Sequence, residues 1–136
     1  MGILVRALNA SDYDDILVGW WKDWGIDAPT RDFLPDDATG GLIVFDGDEP
    51  VCAGFIYTMN AKVAWVEWIV SSKTYRKKPT RKDCLELLIH TLTHICKSKG
   101  AKYVFSNNNN KHLIESFINS GYVKGCTNST ELIKIL

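Results

Sequence analysis

The 136-residue sequence has no run of about 18 apolar residues, which excludes a membrane-spanning helix. It has no CxxC pair. Its four cysteines, Cys52, Cys84, Cys96 and Cys126, are scattered and read as reduced thiols rather than a disulfide framework. The opening residues, MGILVRALNASD, lack the basic start and apolar middle of a signal peptide, so a cytoplasmic protein is expected and the Asn128-Ser129-Thr130 sequon is idle. His90 and His94 lie one turn apart, but HTLTH lacks the acid of HExxH and no third ligand is evident, so no metal is expected. No nucleophile motif surrounds a cysteine, and no Ser-His-Asp arrangement can be argued from the spacing. There is no repeat, linker or low-complexity tail, so residues 1–136 read as one domain.

Net charge is also absent, but only in sum. Residues 1–50 carry three basic and eleven acidic side chains, and residues 51–136 carry thirteen basic and five acidic. Such segregation suits either a solvated surface or two half-sites, one for an anion and one for a cation.

The most informative stretch is Trp65–Lys99. An apolar strand, Val63–Ser71 (VAWVEWIVS), feeds a basic loop, Lys73–Arg81 (KTYRKKPTR), which opens a long amphipathic helix to about Lys99. A strand leading through a positive loop into a helix start is a natural anion site, because orphan backbone N–H groups and the macrodipole both favour phosphate there. Leu85, Leu88, Leu92 and Ile95 give the helix one apolar face, Thr80 with Asp83 reads as its N-cap, and Gly100 ends it.

Elsewhere, Ile3–Leu8 reads as a strand, followed by a helix from an N-cap at Ser11, with Asp14 as box partner, to about Trp24. Gly41–Phe45 and Pro50–Met59 read as strands joined by a hairpin at Asp46-Gly47-Asp48-Glu49, with a bulge suggested by Gly54. A short strand at Tyr103–Ser106, a helix at Lys111–Ser120 and closing strands at Tyr122–Lys124 and Thr130–Ile135 complete the pattern. The order implies an α/β (α+β) fold: a mixed central sheet of about six to seven strands with helices on both faces.

This order, with its basic strand–loop–helix, resembles the GCN5-related N-acetyltransferase superfamily over essentially the whole chain. It looks closest to small acetyltransferase-like proteins of tailed phages. The family's pyrophosphate loop reads Arg/Gln-x-x-Gly-x-Gly/Ala, and the corresponding segment here is Arg76-Lys77-Lys78-Pro79-Thr80-Arg81. Arg76 and the preceding Tyr75 match. Pro79 and Arg81 stand at the two small-residue positions, where one lacks an N–H and the other adds bulk. The segment Asn110-Lys111-His112-Leu113-Ile114-Glu115-Ser116-Phe117-Ile118-Asn119-Ser120-Gly121-Tyr122 resembles the family's Asn-x(6)-Tyr-x(3)-Gly-Phe/Tyr stretch. Asn110 and Gly121-Tyr122 match, whereas Phe117 replaces the tyrosine that protonates the leaving thiolate.

The resemblance implies transfer of an acetyl group from acetyl-CoA to a primary amine. It implies acetyl-CoA along Ile69, Val70 and Ser71, with Arg76, Lys77, Lys78, Thr80, Arg81, Lys82 and Asn110 around its phosphates and arm. Glu67 is the one acid in an apolar strand; desolvation there raises a carboxyl pKa toward that of a useful base. It reads equally as a Glu on a solvated sheet face, with Lys62 as a partner. Trp20 and Trp24, one helical turn apart, with Asp27 and other acids nearby, form either sheet packing or an aromatic wall for a cationic acceptor. That acceptor would be a polyamine, an aminoglycoside-like amine or a protein amine, bound by a monomer or a homodimer. Two other readings stay open: a catalytically degenerate module acting through a protein partner, and a nucleic-acid binder using the basic loop.

Overall fold

The computed structural model describes residues 2–75 and 78–136. Five strands form one mixed sheet in the order β1 (Ile3–Ala7), β2 (Gly41–Asp46), β3 (Glu49–Thr58), β4 (Val63–Ser71) and β5 (Tyr103–Phe105). The first three pairings are antiparallel, and β4 against β5 is parallel. A parallel neighbour requires a crossover, which the long helix α2 (Arg81–Ser98) supplies. Ahead of it in the chain, a π-helical turn, Tyr13–Leu17, runs into α1 (Val18–Asp23), and α3 (Lys111–Asn119) follows β5. Among the described residues, no helix is long and apolar enough to cross a membrane.

Period-two alternation divides the central strands between two cores. Leu42, Val44, Cys52 and Ile56 face α2 and α3, packing on Leu88, Leu92 and Phe117. Ile43, Ala53 and Phe55 face the other way, onto Leu17, Trp20, Trp21 and Leu34. Covering both faces explains why these strands read as nearly continuous apolar runs.

The start of the first helix differs from the expected Ser11 cap. Asn9 Oδ1 accepts from the backbone N–H groups of Ser11 and Asp12 at 3.1 and 3.2 Å, so Asn9 orders the turn. Asp12, almost fully buried, accepts from Arg6 Nη1 and Nη2 at 2.7 and 2.9 Å and from the Asn9 N–H at 2.8 Å. Thr80 likewise makes no side-chain cap to α2; its hydroxyl meets that of Tyr75 instead.

The expected bulge lies where Gly54 pointed to it, but the extra residue belongs to the neighbouring strand. Ala53 pairs with Val70 and Phe55 with Glu67, so Gly54 faces both Trp68 and Ile69. Trp68 takes the left-handed conformation, φ 55°, which glycine usually supplies at such bulges. A Cβ on Gly54 would sit 3.0 Å from both Ile69 Cγ1 and Leu92 Cδ1, so a glycine there lets the widened strand lie against α2.

The expectation of six to seven strands is not met: the described residues form five. Residues 122–136 form no strand, and Val123, Leu132, Ile135 and Leu136 are exposed. The alternating apolar pattern of the tail is present, but among the described residues the tail pairs with no strand.

Candidate active site

The site begins with a strand that loses its neighbour. The β4–β5 register ends at Trp65 opposite Phe105, and beyond that point β4 borders an open cleft of about 1110 Å³. Its edge there is formed by Glu67, Trp68, Ile69, Val70 and Ser71; the facing wall is Asn107–Asn110 from the β5–α3 connection. Two of those asparagines are locally committed. Asn110 Oδ1 accepts from the Leu113 N–H at 3.1 Å and caps α3. Asn108 donates to Ser106 Oγ at 2.8 Å, and the Ser106 hydroxyl donates to the Val66 carbonyl at 2.6 Å, tying the wall to β4.

Alternation turns Ala64 and Val66 into the α2-side core and leaves Trp65 and Glu67 on the cleft. Glu67 Oε1 accepts from the Asn107 N–H at 2.5 Å. Burial pushes the Glu67 carboxyl above its ordinary range, the Asn107 N–H pulls it partly back, and the charge of Glu131 pushes it further up. Lys62 is exposed and forms no ion pair with it; the ion pairs among the described residues are Arg6–Asp12, Arg31–Asp14 and Lys78–Glu49. Tyr57 lines the same space and donates to the Phe33 carbonyl at 2.8 Å. Burial first, and then the Glu67 charge, push its phenol up to about 12.

The left-handed turn at Trp68 keeps its indole on this side of the sheet, where it meets Trp21 and Phe33 edge-on at 6.0 and 5.9 Å. Trp24 completes the aromatic wall. Its Nε1 donates to the Ser71 carbonyl at 2.8 Å, and Lys73 lies 5.2 Å from its ring centroid. Trp20 is buried in the core and Asp27 is exposed, and neither lines the cleft.

At the opposite end the cleft meets the first turn of α2 through Arg81 and Leu85. Arg81 Nη2 donates to Ser71 Oγ at 3.2 Å. The rest of the basic loop is used differently from the sequence expectation. Lys78 pairs with Glu49 of the β2–β3 hairpin at 2.8 Å. Tyr75 is buried, with its hydroxyl donating to Asp46 at 2.7 Å. Thr80 and Lys82 are exposed and outside the cleft lining, and Arg76 and Lys77 lie outside the described residues. Phe117 and Ser116 are buried, and Phe117 packs edge-on against Tyr122 at 4.9 Å, away from the cleft.

Several lining residues carried no signal in the sequence. Trp68 needs a positive φ that no sequence pattern announces. Ser129, Glu131 and Ile133 come from the tail and form a third wall; their i, i+2, i+4 spacing was visible, but only as a strand. Among the described residues no cluster of three or more His, Cys, Asp or Glu could hold a metal.

No sequence-family model matches the chain, and no curated protein matches it in sequence. Its fold, however, matches that of solved structures that include N-acetyltransferases. TTHA1254 from Thermus thermophilus superposes with a TM-score of 0.66 at 13% identity, covering 96% of each chain. Glucosamine-6-phosphate N-acetyltransferase from Arabidopsis thaliana gives 0.67 at 12% identity, covering 98% of this chain and 100% of the other. AAC(6')-Iy, solved in complex with the bisubstrate analogue CoA-S-monomethyl-acetylneamine, gives 0.65 at 14% identity, covering 99% of this chain and 100% of the other. These structures bear out the resemblance to GCN5-related N-acetyltransferases at the level of the fold.

Proposed function

We propose that the protein is an acetyl-CoA-dependent N-acetyltransferase that moves the acetyl group to a primary amine. One observation carries this reading: the free edge of β4 joins a partly desolvated carboxylate, Glu67, to the N-terminus of α2 inside one cleft. The α2 end suits a diphosphate, with orphan N–H groups, the dipole and the Arg81 guanidinium converging there. The edge at Ile69 and Val70 suits an extended arm pairing as an added strand. Pro79 offers no N–H to the phosphates, so charged side chains take a larger share of that contact.

In this reading Glu67 takes a proton from the acceptor ammonium, directly or through one water. The amine nitrogen then attacks the thioester carbonyl carbon, the C–N bond forms, the C–S bond breaks and the thiolate leaves. A backbone N–H at the bulge edge stabilises the oxyanion. A thiol pKa on the order of 8.5 makes the thiolate a fair leaving group, so solvent suffices as proton donor where Phe117 replaces a tyrosine.

The test is release of CoA, followed by chromatography, with acetyl-CoA and a panel of primary amines. Glu67→Gln should lower kcat about 100- to 10,000-fold. No release with any amine would overturn the reading.

Two observations favour a second reading, a non-catalytic module acting through a protein partner. The Ser71 carbonyl, which an incoming arm would use, is occupied by Trp24, and Lys78 is held by Glu49. Such a module would bind acetyl-CoA weakly, and Glu67→Gln would leave its partner binding intact.

A further inference from the structure

The charged side chains lining the cleft, among the described residues, are Arg81, Glu67 and Glu131. Their arrangement is polarised. Arg81 stands at the α2 end beside Ser71 and Leu85, where an anion is expected. Glu67 stands on β4 next to the aromatic wall, and Glu131 comes from the tail. Ser129, Glu131 and Ile133 all line the cleft, so every second residue of this part of the tail borders it. Glu131 has no ion-pair partner among the described residues. Around the two acids stand Trp65, Trp68 and Tyr57. A water-accessible space with two carboxylates and several aromatic faces attracts cations by Coulomb and cation–π terms together.

We propose that the C-terminal tail completes the acceptor site and that Glu131 selects an amine carrying a second ammonium group. This rests on the acetyltransferase reading above and adds the substrate class to it. The reacting ammonium faces Glu67, which must accept its proton. Glu131 lines the same space as Glu67, so two carboxylates repel each other there until a second positive charge arrives. A distal ammonium at Glu131 neutralises that second charge while the reacting ammonium meets Glu67. A monoamine offers Glu131 nothing. Flexible aliphatic polyamines and aminoglycosides both carry the required second charge.

The test uses the full-length protein and Glu131→Gln and Glu131→Asp variants, with spermidine, kanamycin and butylamine as acceptors. Glu131 is exposed on the tail, so neither variant endangers the fold. The preference for the polycation, measured as its kcat/KM over that of butylamine, should fall about tenfold in Glu131→Gln through KM, and recover in Glu131→Asp. Which of spermidine and kanamycin shows the larger preference distinguishes the two polycation classes. An unchanged ratio, or an equal loss on all three amines, overturns the inference while leaving the transferase reading standing. A second readout is independent of turnover: quenching of tryptophan fluorescence by spermidine at low ionic strength. Weaker binding to Glu131→Gln by about tenfold, with no CoA released by the unmodified protein, would keep the cation site and overturn the enzyme. Equal binding by both proteins would overturn the site.

Discussion

Replacing Glu67 by Gln should make the protein more stable at neutral pH, and the gain should vanish in acid. The new side-chain amide keeps an oxygen for the Asn107 N–H, so the substitution removes charge and little else. Burial raises the Glu67 carboxyl in the folded protein above its ordinary value, as does the charge of Glu131. The sign follows directly. A raised folded value means that the native state favours the protonated form, so the ionised group costs stability above that value. As pH falls through the raised value the native state takes up its proton first, and below the ordinary Glu range the cost is gone. A partly desolvated carboxylate held by one amide costs on the order of 1 kcal/mol, which for a domain of this size is about 4 °C in Tm. Calorimetric melts of both proteins between about pH 4 and pH 8 read the difference. The gain should be near its full value at the upper end of that range and close to zero at the lower end. Glu131→Gln should shift the midpoint of this dependence downward, because it removes one of the causes that raise Glu67. A Glu67→Gln protein less stable than the parent at neutral pH would refute the reasoning: the carboxylate would then be a net stabilising acceptor, not a group poised to gain a proton.

Asp12→Ala should destabilise by about 3 kcal/mol in denaturant melts, since it strips three charge-assisted bonds from a nearly buried acceptor; Arg6 holds this carboxyl below the ordinary Asp range, so the parent's advantage should be full near neutrality and shrink as pH falls through that range. Gly54→Val should cost about 1–3 kcal/mol, because its Cβ alone would crowd Ile69 and Leu92; activity should fall further than stability, since Ile69 forms the cleft edge. Trp24→Phe keeps an aromatic face but releases the Ser71 carbonyl, so acetyl-CoA should bind a few-fold more tightly by calorimetry.

How much of this was legible beforehand can be argued from particular residues. The apolar runs at Leu42–Phe45 and Val51–Ile56, and the Leu85-Leu88-Leu92 face of α2, announced buried strands and a crossover helix. Those signals depend only on local periodicity, and they held. The tryptophans show what periodicity leaves open. Trp20 and Trp24 sit one α-helical turn apart, and the Trp24 N–H still bonds back to the Trp20 carbonyl at 3.3 Å, so both face the same core as expected. What periodicity could not tell is depth: Trp20 is buried in the core, while Trp24, at the helix end, is only half-buried and reaches the Ser71 carbonyl. The basic loop shows a second limit: its charges were plain, their partners were not. Lys78 and Tyr75 turn to Glu49 and Asp46 because the β2–β3 hairpin lies beside the loop, and only the fold brings those acids there. Part of the charge segregation between the halves of the chain is thus spent on internal pairing. The left-handed Trp68 was least legible, because the residue type argues against the conformation. That conformation turns an ordinary strand into a splayed one with Glu67 at its edge.

The central claim is that this cleft takes acetyl-CoA at the α2 end, and isothermal titration of acetyl-CoA tests it most directly. The account predicts micromolar binding to the parent and about a tenfold loss in Arg81→Ala, with the enthalpy shrinking as salt screens the phosphate contacts. No detectable heat at millimolar acetyl-CoA, or equal affinity in Arg81→Ala, would contradict it.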